Sequence, residues 1–557
     1  MTCKMEEEFK DPLMASSAKK EEGADEPQNT EFDVIYKVND NPPWYLAIVL
    51  GFQQYMTMFG STIAVPFILA GPLCIADNNL AKSELISTIF LVSGIATLIQ
   101  SCLGTRLPIV QGATFSFIGP TIAILNLPEY KCPTAVNGTV PDYDWKIGMR
   151  EIQGAIAVSS LFQVFVGCTG IIGFVMRFIG PLTVAPTIAL VGLALFGAAG
   201  SFASEQWGIA ALTVFCIALF SQVLGKKFAV FRLFPVILAI LISWALSGII
   251  TAAGGYKEGS EARTDHNLEV LNQAKWIRVP YPGQWGTPTV HVAGVFGMLA
   301  GVFASMIESI GDYYACARLS GAPPPPKHAV NRGIFLEGIS CVLAGLFGSG
   351  NGTTSYSENI AAIGVTKVAS RRVIQIGAIF MIILSILGKF GAVFTLIPKP
   401  VIGGMFWCLF GLIVAVGLSS LQFVNLNDSR NLFVLGFSFF NGMVVPSWIS
   451  ANPQAIDTGV TELDQIIGVL LGTNMAVGGI TACLLDNILP GSKKDRGIEA
   501  WRNNEASAEE NSATYDLPYI QKYLDRTSWI RYVPFLPYNG NRSGTEQNNQ
   551  YNMQEVA

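Results

Sequence analysis

Leu107-Pro108-Ile109-Val110-Gln111-Gly112-Ala113-Thr114-Phe115-Ser116-Phe117-Ile118-Gly119-Pro120 lies in an otherwise apolar region, yet prolines bracket it and Gly, Ser and Thr fill it. A second stretch has the same character: Gly348-Ser349-Gly350-Asn351-Gly352-Thr353-Thr354-Ser355-Tyr356-Ser357, running on into Glu358-Asn359-Ile360-Ala361-Ala362. Neither makes a good helix. Irregular backbone cannot face lipid, because each unpaired amide costs several kcal/mol in hydrocarbon. Each segment is therefore expected inside protein, as an extended stretch followed by a short helix.

The surroundings show why lipid enters the argument. The chain has 557 residues, 51% hydrophobic and 13% charged, with a net charge of −5. Charged residues fill about 30% of positions 1–43 and 491–557 but only about 9% of Trp44 to Pro490. A soluble domain carries roughly a quarter, so the middle reads as a polytopic membrane protein with two polar tails. The negative balance and the lack of a long basic run exclude nucleic acid as a partner, and soluble enzymology is excluded with it. Met1 to Asp40 is acidic, with Glu6, Glu7 and Glu8 where a signal peptide would be basic and then apolar, so no cleavable signal is expected.

At about 32 residues per crossing and connection, the apolar region holds roughly 14 spans. They are expected near 45–71, 85–103, 107–127, 152–176, 181–203, 206–224, 232–253, 292–315, 333–347, 352–365, 373–396, 401–419, 431–449 and 464–489. An even number puts both tails on one side. With the tails cytoplasmic, the short inner connections carry Arg106, Arg177, Lys226, Lys227, Arg232, Arg318, Lys327, Arg332, Lys367, Arg371, Arg372 and Arg430, while the short outer ones hold little beyond Lys82 and Lys399. Two outer loops, 129–150 and 254–290, are long, and Asn137-Gly138-Thr139 in the first is a glycosylation sequon that agrees with this orientation. Asn427 and Asn541 also sit in sequons but are expected inside, unmodified. The chain thus divides into a tail (1–43), a seven-span repeat (44–253), an extracellular loop (254–290), a second seven-span repeat (291–490) and a second tail (491–557).

The two irregular segments are the third span of the first seven and the third of the second seven. An odd number of spans per repeat inverts one half relative to the other. Interrupted segments at matching places of inverted repeats point to a substrate site near the midplane, where free helix N-termini meet the ligand. The opening spans of the halves echo each other weakly, Gln53-Gln54-Tyr55-Met56-Thr57-Met58-Phe59-Gly60 against Met306-Ile307-Glu308-Ser309-Ile310-Gly311-Asp312-Tyr313. Accidental Gly-rich packing helices are the alternative.

Four acids stand where acids are expensive: Glu308, Asp312, Glu337 and Glu358. Glu308 and Asp312 are four apart, on one helix face, and Glu358 stands beside Asn359 where extended chain becomes helix. Carboxylates converging on a cavity can accept from the N–H groups of a planar heterocycle while backbone amides donate to its carbonyls. Asp312 suits a hard cation such as Na⁺ or an orienting hydrogen bond equally well. Glu337 follows Arg318 and Arg332 closely in sequence, which favours a structural ion pair. Lys389, mid-span, is expected to snorkel or pair. Phe115 and Tyr356 can stack on a flat substrate or pack in the core.

Ten cysteines are scattered with no CxxC motif and no adjacent His, so metal and redox motifs are absent from the sequence. Most read as small buried apolar groups. Cys74 and Cys132 are both expected outside and are free to pair or not. His266, His291 and His328 fall in loops or at span ends, where surface roles are favoured over proton relay. In the C-terminal tail, expected to be polar and flexible, Tyr515 and Tyr519 read as solvated linker or as sorting or phosphorylation signals.

At the quoted residues the chain resembles the nucleobase–ascorbate transporter family across 44–490. The stretches that carry it are Gln111-Gly112-Ala113-Thr114-Phe115-Ser116-Phe117, Ser305-Met306-Ile307-Glu308-Ser309-Ile310-Gly311-Asp312-Tyr313-Tyr314-Ala315 and Glu358-Asn359-Ile360-Ala361-Ala362-Ile363-Gly364-Val365-Thr366-Lys367. The resemblance implies an all-α membrane fold of fourteen spans in a 7+7 inverted repeat. A core domain (spans 1–4 and 8–11) would carry the site, and a gate domain (5–7 and 12–14) would form a homodimer. Transport would be an elevator-like movement of core against gate. Ascorbate carriers of this family place Pro before the Asn of the tenth span and nucleobase carriers place Glu or Gln; this chain has Glu358. The resemblance is closest to sodium-dependent nucleobase carriers of the plasma membrane. It implies that Glu308 and Glu358 bind substrate, that Phe115 stacks, and that Ser116, Tyr356, Ser357, Asn359 and Thr57 line the pocket, with Na⁺ as coupling ion, Asp312 as its candidate ligand and no cofactor. Where microbial relatives often carry Gln-His, this chain has Gln53-Gln54, which departs from the pattern.

Overall fold

The computed structural model describes residues 34–133, 143–175, 177–265, 268–452, 455–499, 513–517 and 520–537. Asn137, His266, Tyr519 and Asn541 lie outside the described residues. Among these residues, nine helices are long and apolar enough to span a bilayer, and ten if the bent pair Thr461–Leu471 and Asn474–Ile488 counts as one. The reading of fourteen adds the first helix, Trp44–Ala70, and the interrupted third, tenth and eleventh segments.

The helices sort into two packed groups. In one, Trp44–Ala70, Asn79–Cys102, Lys146–Thr169, Val292–Leu319, Lys327–Phe347 and Arg371–Ile386 pack around the two interrupted segments. In the other, Pro181–Ala194, Phe196–Ser204, Trp207–Ala218, Pro235–Ala252, Lys399–Ser419, Ser429–Ala451 and Asn474–Ile488 pack together. These are the core and the gate. Many large apolar side chains stay exposed on the outer faces, among them Leu161, Phe165, Phe215, Phe433, Phe437 and Phe440. Side chains of that kind are at home against hydrocarbon rather than water.

Both described ends of the chain meet one face. Arg371 donates its backbone N–H to the Val38 carbonyl and its side chain to the Thr514 carbonyl, tying residues from either end to one position. Described residues of the long 254–290 connection meet the far ends of the core helices, where Gly283 and Arg278 donate their N–H groups to the Leu346 and Ile386 carbonyls, and the Cys74–Cys132 disulfide follows the far end of Trp44–Ala70.

Several expectations are corrected. The fourteenth span is two helices bent by 81°, because Thr473 is extended (φ −103°, ψ 108°) and starts a new helix after Gly472. The eleventh breaks at Leu387, which is extended and pairs with Ile277 of the long loop. The second and ninth spans begin six residues early, at Asn79 and Lys327. Asn78 caps the former by accepting from the Ala81 N–H at 3.0 Å, and the latter starts straight after the proline run. Lys82, expected in an outer loop, lies in the first turn of the second helix and donates to the Ala76 carbonyl at 2.8 Å. The tails are not wholly free: residues 35–38 pair with 367–371, and 513–517 and 534–535 dock on the core.

Candidate functional site

Each interrupted segment supplies one short strand, β1 (Gln111–Ala113) and β2 (Thr353–Ser355), and the two pair antiparallel with Gln111 opposite Ser355. Backbone polar groups that would be orphaned in a membrane thus satisfy one another across the core. Short helices follow directly, Phe115–Phe117 leading into Ile118–Leu125 after β1, and Ser357–Thr366 after β2. Their N-termini carry partial positive charge and lie beside Phe115, Ser116, Ser357 and Glu358. The approach is close enough to need glycine. A Cβ on Gly112 would lie 2.6 Å from the Tyr356 ring, and one on Gly352 would lie 2.7 Å from the Phe117 ring. Gly112→Ala is expected to displace Tyr356 and weaken substrate affinity with little loss of surface protein. Unchanged uptake kinetics in that variant would show that the contact does not matter.

The acids converge from two directions. Glu358, in the first turn of its helix, accepts from the Ser61 hydroxyl at 3.0 Å. Glu308 accepts from the Ser116 hydroxyl at 3.3 Å and lies within electrostatic range of Glu358. Both are half-buried. Each holds a serine with one oxygen, and among the described residues no protein donor engages the other. Asp312 accepts from the Ser357 hydroxyl at 2.8 Å through one oxygen, while its other oxygen is buried without a partner. Among the described residues, no Lys or Arg forms an ion pair with any of the three.

The remaining expected residues divide between contact and support. Tyr356 is buried; its hydroxyl donates to the Ala113 carbonyl at 2.7 Å and sits 3.2 Å from the Thr62 hydroxyl, so it locks the two segments together. Asn359 donates to both the backbone and side-chain oxygens of Gln54, at 2.7 and 2.8 Å. It positions its helix against the first span, and its own Oδ1 is left without a partner. Thr57 is engaged with Gln53 of the preceding turn. Phe115 packs edge-on to Phe410 of the gate, with ring centroids 5.8 Å apart, and so stands where core meets gate.

Glu337 corrects the expected ion pair. Among the described residues it pairs with no arginine; instead it accepts from Ser309 (2.7 Å), Gln163 (3.0 Å), Tyr313 (3.1 Å) and, more distantly, Ser305 (3.4 Å). Arg332 points the other way, to the Gly104 and Tyr515 carbonyls. Ser309 also contacts the Thr354 hydroxyl at 2.9 Å and accepts from the Ser355 N–H, so Glu337 reaches β2 through one hydroxyl. Sequence reasoning saw Glu337 as costly but missed this role, because its donors come from helices far apart in the chain. Gln54, Ser61 and Thr62 were missed as well; only the polar character of the first span hinted at them. Lys389 donates to the Leu271 carbonyl and lies 5.5 Å from the Trp276 ring, held by the outer loop where the eleventh span breaks.

With this geometry in hand, the relatives can be named. A permease-family sequence profile matches residues 46–451. Solute carrier family 23 member 1 of Rattus norvegicus is 48% identical, covering 96% of this chain and 94% of that protein. Member 2 of Mus musculus is 50% identical over 92% of this chain and 84% of that one. Nucleobase-ascorbate transporter 7 of Arabidopsis thaliana is 36% identical over 88% and 94%. Among solved structures, the transmembrane domain of a cyanobacterial bicarbonate transporter, BicA, aligns with 78% of this chain and 99% of its own, at 14% identity and a TM-score of 0.48. The chain is a multi-pass membrane transporter, not an enzyme, and it belongs to the permease family that also holds solute carrier family 23 and the plant nucleobase–ascorbate transporters.

Proposed function

We propose that the protein is a sodium-coupled symporter that imports nucleobases of the uracil, thymine, hypoxanthine, xanthine and guanine class across the plasma membrane. The observation that carries this reading is the pair Glu308 and Glu358, each bound to a serine through one oxygen and without a cationic partner among the described residues. When ionised, these carboxylates repel ascorbate, an anion at pH 7. A neutral base instead offers them N–H donors, and the helix N-termini beside Ser116 and Ser357 suit its carbonyl oxygens. In this reading Phe115 covers the flat face of the base, Tyr356 and Asn359 hold the pocket's shape, and Thr57 lines its first-span side.

In this reading the tails and basic connections are cytoplasmic and Asn137 is glycosylated outside. The two seven-span halves form an inverted repeat, gate helices pair two copies, and the core moves against the gate in elevator fashion. The unpartnered oxygen of Asp312 is offered to Na⁺. Asp312→Asn is expected to shift the Na⁺ concentration for half-maximal uptake several-fold upward while the protein still reaches the surface. An unchanged Na⁺ dependence would remove Asp312 from the cation site.

Sodium–ascorbate symport is the second reading, and whole-chain similarity favours it. About half the residues are shared with solute carrier family 23 members 1 and 2, neither named for a nucleobase, and the plant relatives are named for both substrates. Uptake of radiolabelled uracil, hypoxanthine and ascorbate, with and without Na⁺, separates the two. Saturable ascorbate uptake without base uptake overturns the main reading. An anion exchanger or channel is disfavoured by the acidic site.

A further inference from the structure

The last described parts of the chain, 513–517 and 520–537, are seated on the core. Tyr515 is fully buried, its hydroxyl donates to the Pro323 carbonyl, and it belongs to the same buried cluster as Cys316 and Ala317. Its carbonyl accepts from Arg332 at 2.6 Å, and the Thr514 carbonyl accepts from Arg371 at 3.3 Å. The same two guanidiniums donate to the Gly104 and Arg106 carbonyls, both at 2.7 Å. Arg106 lies within electrostatic range of both, and the Asp516 charge faces Arg332. A second anchor follows: Asn331 donates to the Pro534 carbonyl at 3.0 Å, and the Phe335 and Phe535 rings stack 4.8 Å apart at 18°.

Guanidinium groups carry five donors each, and buried donors without acceptors are costly. Arg332 is buried, and part of its acceptor set comes from the tail. The tail therefore supplies Nη2 of Arg332 with an acceptor that the membrane helices do not, while its Nη1 stays without a partner among the described residues. It ties together the 104–106 turn that leads into β1, the Pro323 connection, and the starts of the Lys327–Phe347 and Arg371–Ile386 helices. Tyr515 also lies within electrostatic range of Tyr314 and Cys316, in the last turns of Val292–Leu319, the helix that bears Glu308 and Asp312. Cys316, one turn beyond Asp312, is a buried free thiol whose Sγ lies 3.8 Å from the Pro108 carbonyl.

We propose that residues 513–517 are a built-in ligand of the core domain, seated on Arg332 and Arg371 and bracing the terminal-face end of the helix that carries the site acids. Burial of Cys316 then depends on the tail, whichever substrate is carried. The test uses the full-length protein in membranes and a membrane-permeant maleimide, with Cys316 labelling read by peptide mass spectrometry and exposed Cys102 as internal control. Tyr515→Ala is expected to speed Cys316 labelling by about ten-fold or more, since access then needs only a local opening. Tyr515→Phe, which keeps the ring and loses the Pro323 bond, should fall between. Phe535→Ala, which weakens the second anchor without emptying the buried seat, should give a smaller increase and serves if Tyr515→Ala fails to fold. Cys316 labelling as slow as in the wild type in the folded variants overturns the proposal. Because no substrate enters this readout, its failure is distinct from a failure of the transport reading.

Discussion

Glu308→Ala and Glu358→Pro are each expected to abolish nucleobase uptake while leaving surface expression close to the wild-type level. A hydrogen bond from substrate to a carboxylate contributes about 1.5–3 kcal/mol, so losing one weakens binding roughly 10- to 100-fold. Neither change should unfold the protein. Each acid is half-buried and gives up a single serine bond, leaving Ser61 or Ser116 able to turn to another acceptor. Proline is tolerated in the first turn of a helix, and Glu358 is the second residue of Ser357–Thr366. Uptake assays paired with surface biotinylation decide the matter. If either variant transports with unaltered affinity, the carboxylate pair is not the substrate site.

Glu337→Ala is expected to act through the fold. Three buried donors within 3.1 Å, from Ser309, Gln163 and Tyr313, would lose their acceptor at once. Each buried unpaired donor costs about 1–3 kcal/mol, a large share of a stability that is usually 5–15 kcal/mol. The variant should therefore melt well below the wild type in detergent and reach the surface poorly. Glu337→Gln, which keeps an acceptor and the shape, should recover much of both. A melting temperature for Glu337→Ala equal to that of the wild type would show that the network is not structural. Any loss of uptake per surface molecule in Glu337→Gln would measure how far β2 depends on Ser309.

Much of the site was legible before the fold. Scarce charge marks the membrane, and acids that no orientation rule explains stand out against it. Gly, Ser and Thr at Gln111–Phe117 and Gly348–Ser357 mark backbone that must be paired inside protein, and the structure pairs it as β1 with β2. What stayed hidden depends on contacts remote in sequence. Glu337 could not be assigned from its neighbours, because its donors lie at positions 163, 305, 309 and 313. The partners of Arg332 are hidden for the same reason: its acceptors are at 104 and 515, not at the nearby Glu337. Nothing local decides whether Cys74 and Cys132 pair, because 58 residues separate the two ends of that disulfide.

The sequence by itself determined that this chain lives in a bilayer, where its backbone must break, and which acids stand inside the apolar spans. Those conclusions follow from transfer energies and backbone hydrogen bonding, which act residue by residue. Only the tertiary structure decided which acid meets which hydroxyl, that Tyr515 is buried rather than solvated, and that the chain bends between Thr461–Leu471 and Asn474–Ile488. Those depend on which helices lie side by side, and a local pattern does not encode that adjacency.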